Sequence, residues 1–128
     1  MRLIIVRGGG ATGKTALARR LAQDLKYELY SKDGFKEKEF DKLDNRPTAL
    51  QMKNLESKSW DLTYSAVKNA VSKNTALIIE GNFMKPQKRQ IIKAINKDTV
   101  VIEVYCRAKG LASFKRFVRR NESPLQKG

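Results

Sequence analysis

Residues 8–15, Gly-Gly-Gly-Ala-Thr-Gly-Lys-Thr, constrain the fold more than any other part of this chain. They match the pattern G-x-x-x-x-G-K-[ST], in which glycines allow successive backbone N–H groups to curl around phosphate oxygens. The apolar run 3–6 before them predicts a buried strand, and residues 16–25 after them predict a helix. A strand, a glycine loop and a helix in this order are the context that a phosphate-binding loop (P-loop) requires.

The loop predicts a nucleotide phosphate site at the start of a helix, where the helix dipole adds partial positive charge. Lys14 is expected to reach the β- and γ-phosphates, and the hydroxyl of Thr15 is expected to bind Mg²⁺. The residues predicted to bind the nucleotide are Gly8, Gly9, Gly10, Ala11, Thr12, Gly13, Lys14, Thr15 and Ala16.

Two other interpretations of this segment stay open. It can be a glycine-rich turn that binds nothing. Alternatively, Gly8, Gly10 and Gly13 satisfy the dinucleotide-binding pattern G-x-G-x-x-G, and Asp33 lies about twenty residues further on, where a ribose-binding acid is expected. That pattern does not require Lys-Thr after its last glycine, so the P-loop interpretation is favoured. A dinucleotide site would tolerate replacement of Lys14.

Composition limits the chemistry. The chain has 128 residues, enough for one domain over residues 1–128, and 41% of them are hydrophobic. No apolar run approaches the ~20 residues that span a bilayer, so we expect a cytoplasmic protein without a membrane partner.

The single cysteine, Cys106, follows an apolar strand and is expected to be a buried structural thiol. There is no histidine, so a proton acceptor is expected to be a carboxylate.

The net charge of +14 suggests polyanionic partners: nucleotides, phosphorylated metabolites or nucleic acid. Solvated surface lysines account for part of this excess. The distribution is uneven, because residues 107–128 contain seven Lys and Arg against one acid, Glu122. We therefore expect the C-terminal segment 106–128 to be the electropositive end of the molecule.

Apolar strands and helical patterns alternate along the chain. Strands are predicted at 27–31, 76–81 and 99–106, and helices at 48–72, from Pro86 onward and at 111–120, with a short helix or ordered loop at 35–43. Continuous apolar strands are typical of a parallel sheet covered on both faces. The predicted fold class is therefore α/β: a three-layer α/β/α sandwich of the P-loop NTPase type, with a mostly parallel sheet of about four strands.

Ligands of such sheets bind at the carboxyl ends of the strands, where this chain places its P-loop, Asp33, Glu80 and Arg107. Asp33 is expected to orient an acceptor hydroxyl and accept its proton, although Lys-Asp-Gly is also a favourable turn. Glu80 is expected to hold Mg²⁺ through water or to polarise a water molecule, although a strand-end carboxylate can be purely structural.

Three arginines near the C-terminus, Arg116, Arg119 and Arg120, are candidates for neutralising charge on a transferred phosphate. At least one is expected to reach the nucleotide, with Arg116 and Arg120 the candidate catalytic residues. The others can be solvated or can bind an anionic acceptor.

Four segments together carry a family resemblance: the P-loop, Ser31-Lys32-Asp33, the run Ile78 to Phe83 and the basic stretch from Tyr105 to Ser123. They resemble P-loop kinases related to polynucleotide kinase, chloramphenicol phosphotransferase and zeta-toxin-type kinases. The P-loop is the most specific of these matches, and the resemblance spans nearly the whole chain.

The resemblance implies ATP and Mg²⁺, with Lys14 and Thr15 on phosphates and metal, Asp33 as acceptor base, and a lid whose arginines contact the transferred phosphate. The expected activity is phosphorylation of a hydroxyl on a small-molecule or nucleotide-like acceptor. A P-loop NTPase without phosphotransfer, with Glu80 positioning water, and a kinase acting on nucleic-acid ends are the alternatives. Such kinases continue past the lid into a further helix and strand, so the chain is expected to be a fragment or a shortened form.

Overall fold

A computed structural model describes residues 1–9, 13–43, 46–108 and 111–118, the last of these and residue 108 by their backbone. Strands and helices alternate over most of the chain. The elements are β1 (Arg2–Gly8), α1 (Lys14–Leu25), β2 (Glu28–Ser31), α2 (Lys32–Asp41), α3 (Ala49–Lys73), β3 (Leu77–Gly81), α4 (Lys85–Ala94), β4 (Val100–Ala108) and β5 (Leu111–Val118).

The five strands form one sheet in the order β2-β3-β1-β4-β5. β1 is the central strand and pairs in parallel with both β3 and β4, so that Ile5 lies opposite Ile79 on one side and Glu103 on the other. β2 pairs in parallel with β3, and β5 pairs antiparallel with β4. The predicted α/β class and mostly parallel sheet are therefore confirmed: four strands are parallel, and a fifth is added at one edge.

Helices cover both faces of the sheet, which explains why the central strands are continuous apolar runs. Successive side chains of a strand point to opposite faces. Leu3 and Ile5 accordingly join a buried cluster with α3 and α4, whereas Ile4 and Val6 join a second cluster with α1. These two clusters form the two interfaces of the predicted α/β/α sandwich.

Local signals in the sequence explain where the long helix begins. Thr48 precedes α3 and its hydroxyl accepts a hydrogen bond from the Gln51 backbone N–H at 3.1 Å, while the Gln51 side chain accepts from the Thr48 N–H at 2.8 Å. The two bonds form a reciprocal capping box, for which Thr48 and Gln51 have the required spacing. Of the segment predicted as a short helix or ordered loop at 35–43, residues 35–41 are helical and belong to α2. Pro86 is the second residue of α4, one position later than predicted.

The basic helix predicted at 111–120 is wrong for residues 111–118. They form β5, in which the backbone of Arg116 lies opposite Ile102. The outer edge of β4 offers unpaired backbone groups, and an adjacent strand satisfies them whatever the helical propensity of the segment. Arg119, Arg120 and residues 121–128 lie outside the described residues, as do Gly10, Ala11 and Thr12 of the predicted nucleotide loop.

Candidate nucleotide and acceptor site

The start of α1 has the backbone geometry that a phosphate loop requires. Gly13 caps this helix with a φ of 82°, in the left-handed region that favours glycine. No described atom lies within 4 Å of the position that a Cβ would take there, so the requirement is conformational rather than steric. Gly13 has no side chain to cap α1, which leaves the first N–H groups of the helix for phosphate oxygens.

Lys14, Asp33 and Glu80 come together at the carboxyl ends of β1, β2 and β3. The Lys14 ammonium lies 3.4 Å from Asp33 Oδ2 and 3.9 Å from Glu80 Oε1. The Lys14 side chain is only 10% exposed, whereas 43% of the Asp33 side chain remains accessible to solvent. Three residues that are far apart in the sequence thus form one charged cluster, with Asp33 facing the open side.

Glu80 is fully buried and connects the P-loop helix to the end of β2. The Thr15 hydroxyl donates a hydrogen bond to Glu80 Oε1 at 3.0 Å, and the Ser31 hydroxyl donates to Oε2. Both carboxylate oxygens therefore have partners inside the protein. Glu80 is therefore placed to orient these two hydroxyls, and its side chain has no contact with bulk solvent.

The same hydrogen bond is compatible with Mg²⁺ bound together with a nucleotide. Because Thr15 donates its proton to Glu80, the lone pairs of its hydroxyl oxygen stay free for a metal ion. The described residues contain no cluster of three or more carboxylate, cysteine or histidine ligands. Mg²⁺ in phosphate sites takes most of its ligands from water and from the substrate phosphates, so a single hydroxyl ligand fits this mode.

Ser31 is a functional residue that the sequence analysis missed. Besides donating to Glu80, its hydroxyl accepts a hydrogen bond at 3.0 Å from the Gly34 N–H and so caps α2, the helix that carries Asp33. A Cβ at Gly34 would lie 3.0 Å from the same hydroxyl, which explains the glycine. A serine directly before a helix with aspartate in its first turn was the available signal. Ser31 thus links Glu80 to the position of Asp33.

Replacing Ser31 with alanine is expected to lower the free energy of unfolding by about 1–2 kcal/mol, since it removes a helix cap and leaves Glu80 Oε2 without its donor. Urea denaturation measures this loss. Ser57→Ala, at an exposed position on α3, is the matched control and should change stability little. Equal stability of the two variants would contradict the linking role of Ser31.

A second charged cluster adjoins Asp33. The Lys32 ammonium, buried at 6% exposure, lies 2.5 Å from Glu56 Oε1, 3.7 Å from Asp33 Oδ1 and 4.6 Å from the centre of the Trp60 ring. Lys36 binds the other Glu56 oxygen at 2.6 Å, and Trp60 Nε1 donates to Glu56 at 3.0 Å. Lys32 therefore holds the start of α2 against α3, with Asp33 between two ammonium groups.

The ionisation of Glu56 makes this cluster sensitive to acid. Partial burial alone would raise the pKa of the Glu56 carboxyl, but hydrogen bonds from Lys32 and Lys36 and their positive charges outweigh burial and lower this pKa from 4.5 to about 2. A carboxyl whose pKa is lower in the folded state stabilises the protein at pH values above its unfolded-state pKa. This contribution disappears as the pH falls through the folded-state pKa.

Glu56→Gln is therefore expected to unfold at a lower temperature than the unmodified protein at neutral pH. The difference should shrink as the pH falls from about 4.5 towards 2, where Glu56 becomes protonated in the unmodified protein as well. Thermal melting at several pH values tests this. A difference that is independent of pH across this range would show that the carboxylate charge does not contribute.

An open cleft of about 660 Å³ lies beside these two clusters, between α2, α3 and the connection from β3 to α4. Lys14 and Asp33 form its inner end, Glu56 and Trp60 part of its wall. Trp60 also packs against the core: its ring stacks on Tyr64 with centroids 6.2 Å apart and meets the edge of Phe83 at 5.2 Å. Both Trp60 and Tyr64 are partly buried against the cluster that contains Leu3 and Ile5. Cys106 is buried, as expected.

The structure describes Arg116 by its backbone alone, and Arg119 and Arg120 lie outside the described residues. The backbone of Arg116 lies opposite Ile102, which pairs with Ile4 in the middle of β1, whereas the glycine loop follows the end of β1. Arg107 is exposed near the end of β4. The catalytic roles of Arg116 and Arg120 therefore remain predictions.

Among the described residues, no helix is both long and apolar enough to cross a membrane.

The parallel strands have the order β2-β3-β1-β4, a glycine loop follows the central strand β1, and Glu80 lies at the end of the neighbouring strand β3. These features define a P-loop nucleotide-binding fold. A family model described as AAA domain matches residues 3–126, and the chain belongs to this family of P-loop, kinase-like domains. The resemblance to P-loop kinases is thereby confirmed. No curated protein sequence matches the chain significantly.

Solved structures with the same fold include kinases. A protein from Chloroflexus aurantiacus, provisionally described as a kinase, superposes with a TM-score of 0.70 at 29% identity and covers 82% of this chain. A sugar kinase from Janibacter sp. HTCC2649 superposes with a TM-score of 0.57 at 14% identity and covers 83% of this chain. A chain of the Pnkp1/Rnl/Hen1 RNA repair complex superposes with a TM-score of 0.61 at 16% identity and covers 82% of this chain. The matched regions are 58%, 60% and 32% of those chains.

Proposed function

We propose that this chain binds ATP with Mg²⁺ and transfers the γ-phosphoryl group to a hydroxyl of an acceptor held in the cleft. The observation that carries the proposal is the position of Lys14, whose ammonium contacts both Asp33 and Glu80 at the carboxyl ends of the strands. A phosphate-binding lysine and an accessible carboxylate beside one cleft are the two groups that phosphoryl transfer to a hydroxyl requires.

In the proposed reaction, the acceptor oxygen attacks the γ-phosphorus while the bond to the β–γ bridging oxygen breaks, releasing ADP. Asp33 orients the acceptor hydroxyl and accepts its proton. Lys14 leaves its carboxylate partners and binds the β- and γ-phosphates. Mg²⁺ would supply neutralisation of the developing phosphate charge next to Thr15. The contribution of the protein is positioning and charge stabilisation rather than covalent chemistry.

A P-loop NTPase that activates water through Glu80 is a weaker alternative, because both oxygens of this buried carboxylate already accept hydrogen bonds from Thr15 and Ser31. The net charge of +14 favours one further candidate, a kinase for nucleic-acid ends. Oligonucleotide binding that weakens steeply with salt would support that candidate, and no binding at low salt would remove it. Dependence on ATP favours the cytoplasm as the compartment for either kinase.

Calorimetric titration with a non-hydrolysable ATP analogue tests the nucleotide site. We expect saturable binding in the presence of Mg²⁺ and weaker binding when the metal is removed with a chelator, since the metal is bound jointly by Thr15 and the phosphates. Circular dichroism establishes that the protein is folded in both titrations. A folded protein that binds no analogue in either condition would contradict the proposed function.

A further inference from the structure

We propose, on the basis of the proposed kinase function, that the acceptor is a small polyhydroxy compound that itself carries a negative charge, as a carboxylate or a phosphate monoester. Lys53 and Lys36 are the residues assigned to recognise this charge. The cleft is suitable for a small molecule, because ligand pockets typically enclose about 300–1,000 Å³ and its volume is about 660 Å³.

The charges in the cleft wall are unequal. Among the described residues that line the cleft, four lysines (Lys14, Lys32, Lys36 and Lys53) face two carboxylates, Asp33 and Glu56. When nucleotide phosphates engage Lys14, three lysines still face these two acids. An anionic acceptor would pair with this excess positive charge, whereas a neutral acceptor would leave it without a counter-charge in the wall.

The excess positive charge belongs to Lys36 and Lys53. Lys32 already forms ion pairs with Glu56 and Asp33 and lies over the Trp60 ring. Lys36 forms an ion pair with the second oxygen of Glu56. Lys53 is exposed and forms no ion pair with any residue in the described part of the chain. Lys36 and Lys53, both in the wall of the cleft, therefore present the positive charge available to a ligand.

Neutral polar groups in the wall suit hydroxyls. Asn82 and Gln87 both line the cleft, and each amide provides donors and an acceptor. The Gln87 oxygen accepts from the Met84 N–H at 3.0 Å, so its amide hydrogens remain for a ligand. A compound with several hydroxyls can thus bind through amides while one hydroxyl reaches Asp33.

The aromatic residue of the wall does not provide a platform for a nucleobase. Lys32 lies over the Trp60 ring at 4.6 Å, Tyr64 stacks on it and Phe83 contacts it edge-on. Its indole N–H is donated to Glu56. Base recognition on single strands relies on free aromatic faces, so these contacts favour a small aliphatic anion over an oligonucleotide in this cleft.

The experiment uses Trp60 as the reporter, since it is the only tryptophan and lines the cleft. The protein is first saturated with Mg²⁺ and a non-hydrolysable ATP analogue, which occupies the P-loop. Indole emission is then followed during titration with two matched pairs, gluconate against sorbitol and glucose 6-phosphate against glucose. We expect a saturable change with at least one anion and none with its neutral partner, and the two pairs distinguish carboxylate from phosphate.

Lys53→Gln should weaken binding of that anion about five- to tenfold by loss of one charge-assisted contact. Lys68→Gln is the matched control, because Lys68 is also exposed on α3 but does not line the cleft. Equal effects of the two substitutions, equal responses to the anion and its neutral partner in both pairs, or no response to either anion would overturn the inference. A 5′-hydroxyl oligonucleotide that alone changes the emission would overturn it in favour of nucleic acid.

These failures are distinguishable from failure of the proposed function. Saturation with the ATP analogue is measured first by calorimetry. If the analogue binds and the anions do not, the nucleotide site stands and the acceptor class is wrong. If the analogue does not bind, the kinase proposal itself is contradicted.

Discussion

Replacing Lys14 with alanine is expected to weaken binding of a non-hydrolysable ATP analogue about 10–100-fold, because a hydrogen bond to a charged partner contributes about 1.5–3 kcal/mol. The loss of phosphate transfer should be greater, about 100–1,000-fold, since charge on the phosphate grows in the transition state. Calorimetry measures the first quantity and ADP formation the second. The effect separates a P-loop from a dinucleotide site, which does not use this lysine.

The control for Lys14→Ala is Lys97→Ala, an exposed lysine in the turn before β4. It changes the net charge by the same amount and should leave analogue binding unchanged. Because Glu80 is buried and loses a neighbouring cation in the Lys14 variant, thermal melting is needed to show that the variant remains folded. A folded Lys14→Ala protein with unchanged affinity would rule out the P-loop interpretation.

Asp33→Asn should reduce acceptor-dependent ADP formation about 100–10,000-fold, the range for loss of a general base. Gluconate and glucose 6-phosphate, two compounds of the proposed acceptor class, are supplied as test acceptors. Affinity for the ATP analogue should be retained or increased, because Lys14 no longer has to leave a carboxylate that lies 3.4 Å away. A loss of transfer without a loss of nucleotide binding would assign Asp33 to the acceptor step.

The matched control is Asp61→Asn, at an exposed position on α3, which should leave transfer unchanged. Unchanged acceptor-dependent transfer in Asp33→Asn would show that Asp33 is a turn residue only. ATP turnover that persists in the variant without any acceptor would instead support an NTPase.

The fold was predictable from the sequence because its signals are local. Continuous apolar runs identify strands buried on both faces, and the glycine loop fixes where the first helix begins. The order of the strands depends on pairing between residues far apart, such as Ile5 with Ile79, and no local signal encodes it. In residues 111–118 the apolar residues are spaced for a helix, but pairing with the free edge of β4 decided the structure.

Part of the candidate site was predictable, namely the carboxylates that stand at the ends of strands. Asp33 and Glu80 were found because parallel strands end at one edge. Lys32 and Glu56 were not, since they are 24 residues apart on different helices and lysines are seldom buried. Their contact depends on how α2 packs against α3, which the sequence pattern does not specify.

The ion pair between Lys14 and Asp33 has a consequence for the order in which substrates arrive. While the lysine holds this carboxylate, a hydroxyl must compete with an ammonium group for the same oxygens. In the proposed reaction, an incoming triphosphate would draw the lysine away and free Asp33 when the phosphoryl donor is in place. The ion pair would then favour an order in which the nucleotide binds first and the acceptor second. By thermodynamic reciprocity, an acceptor bound at Asp33 would in turn tighten the hold on nucleotide.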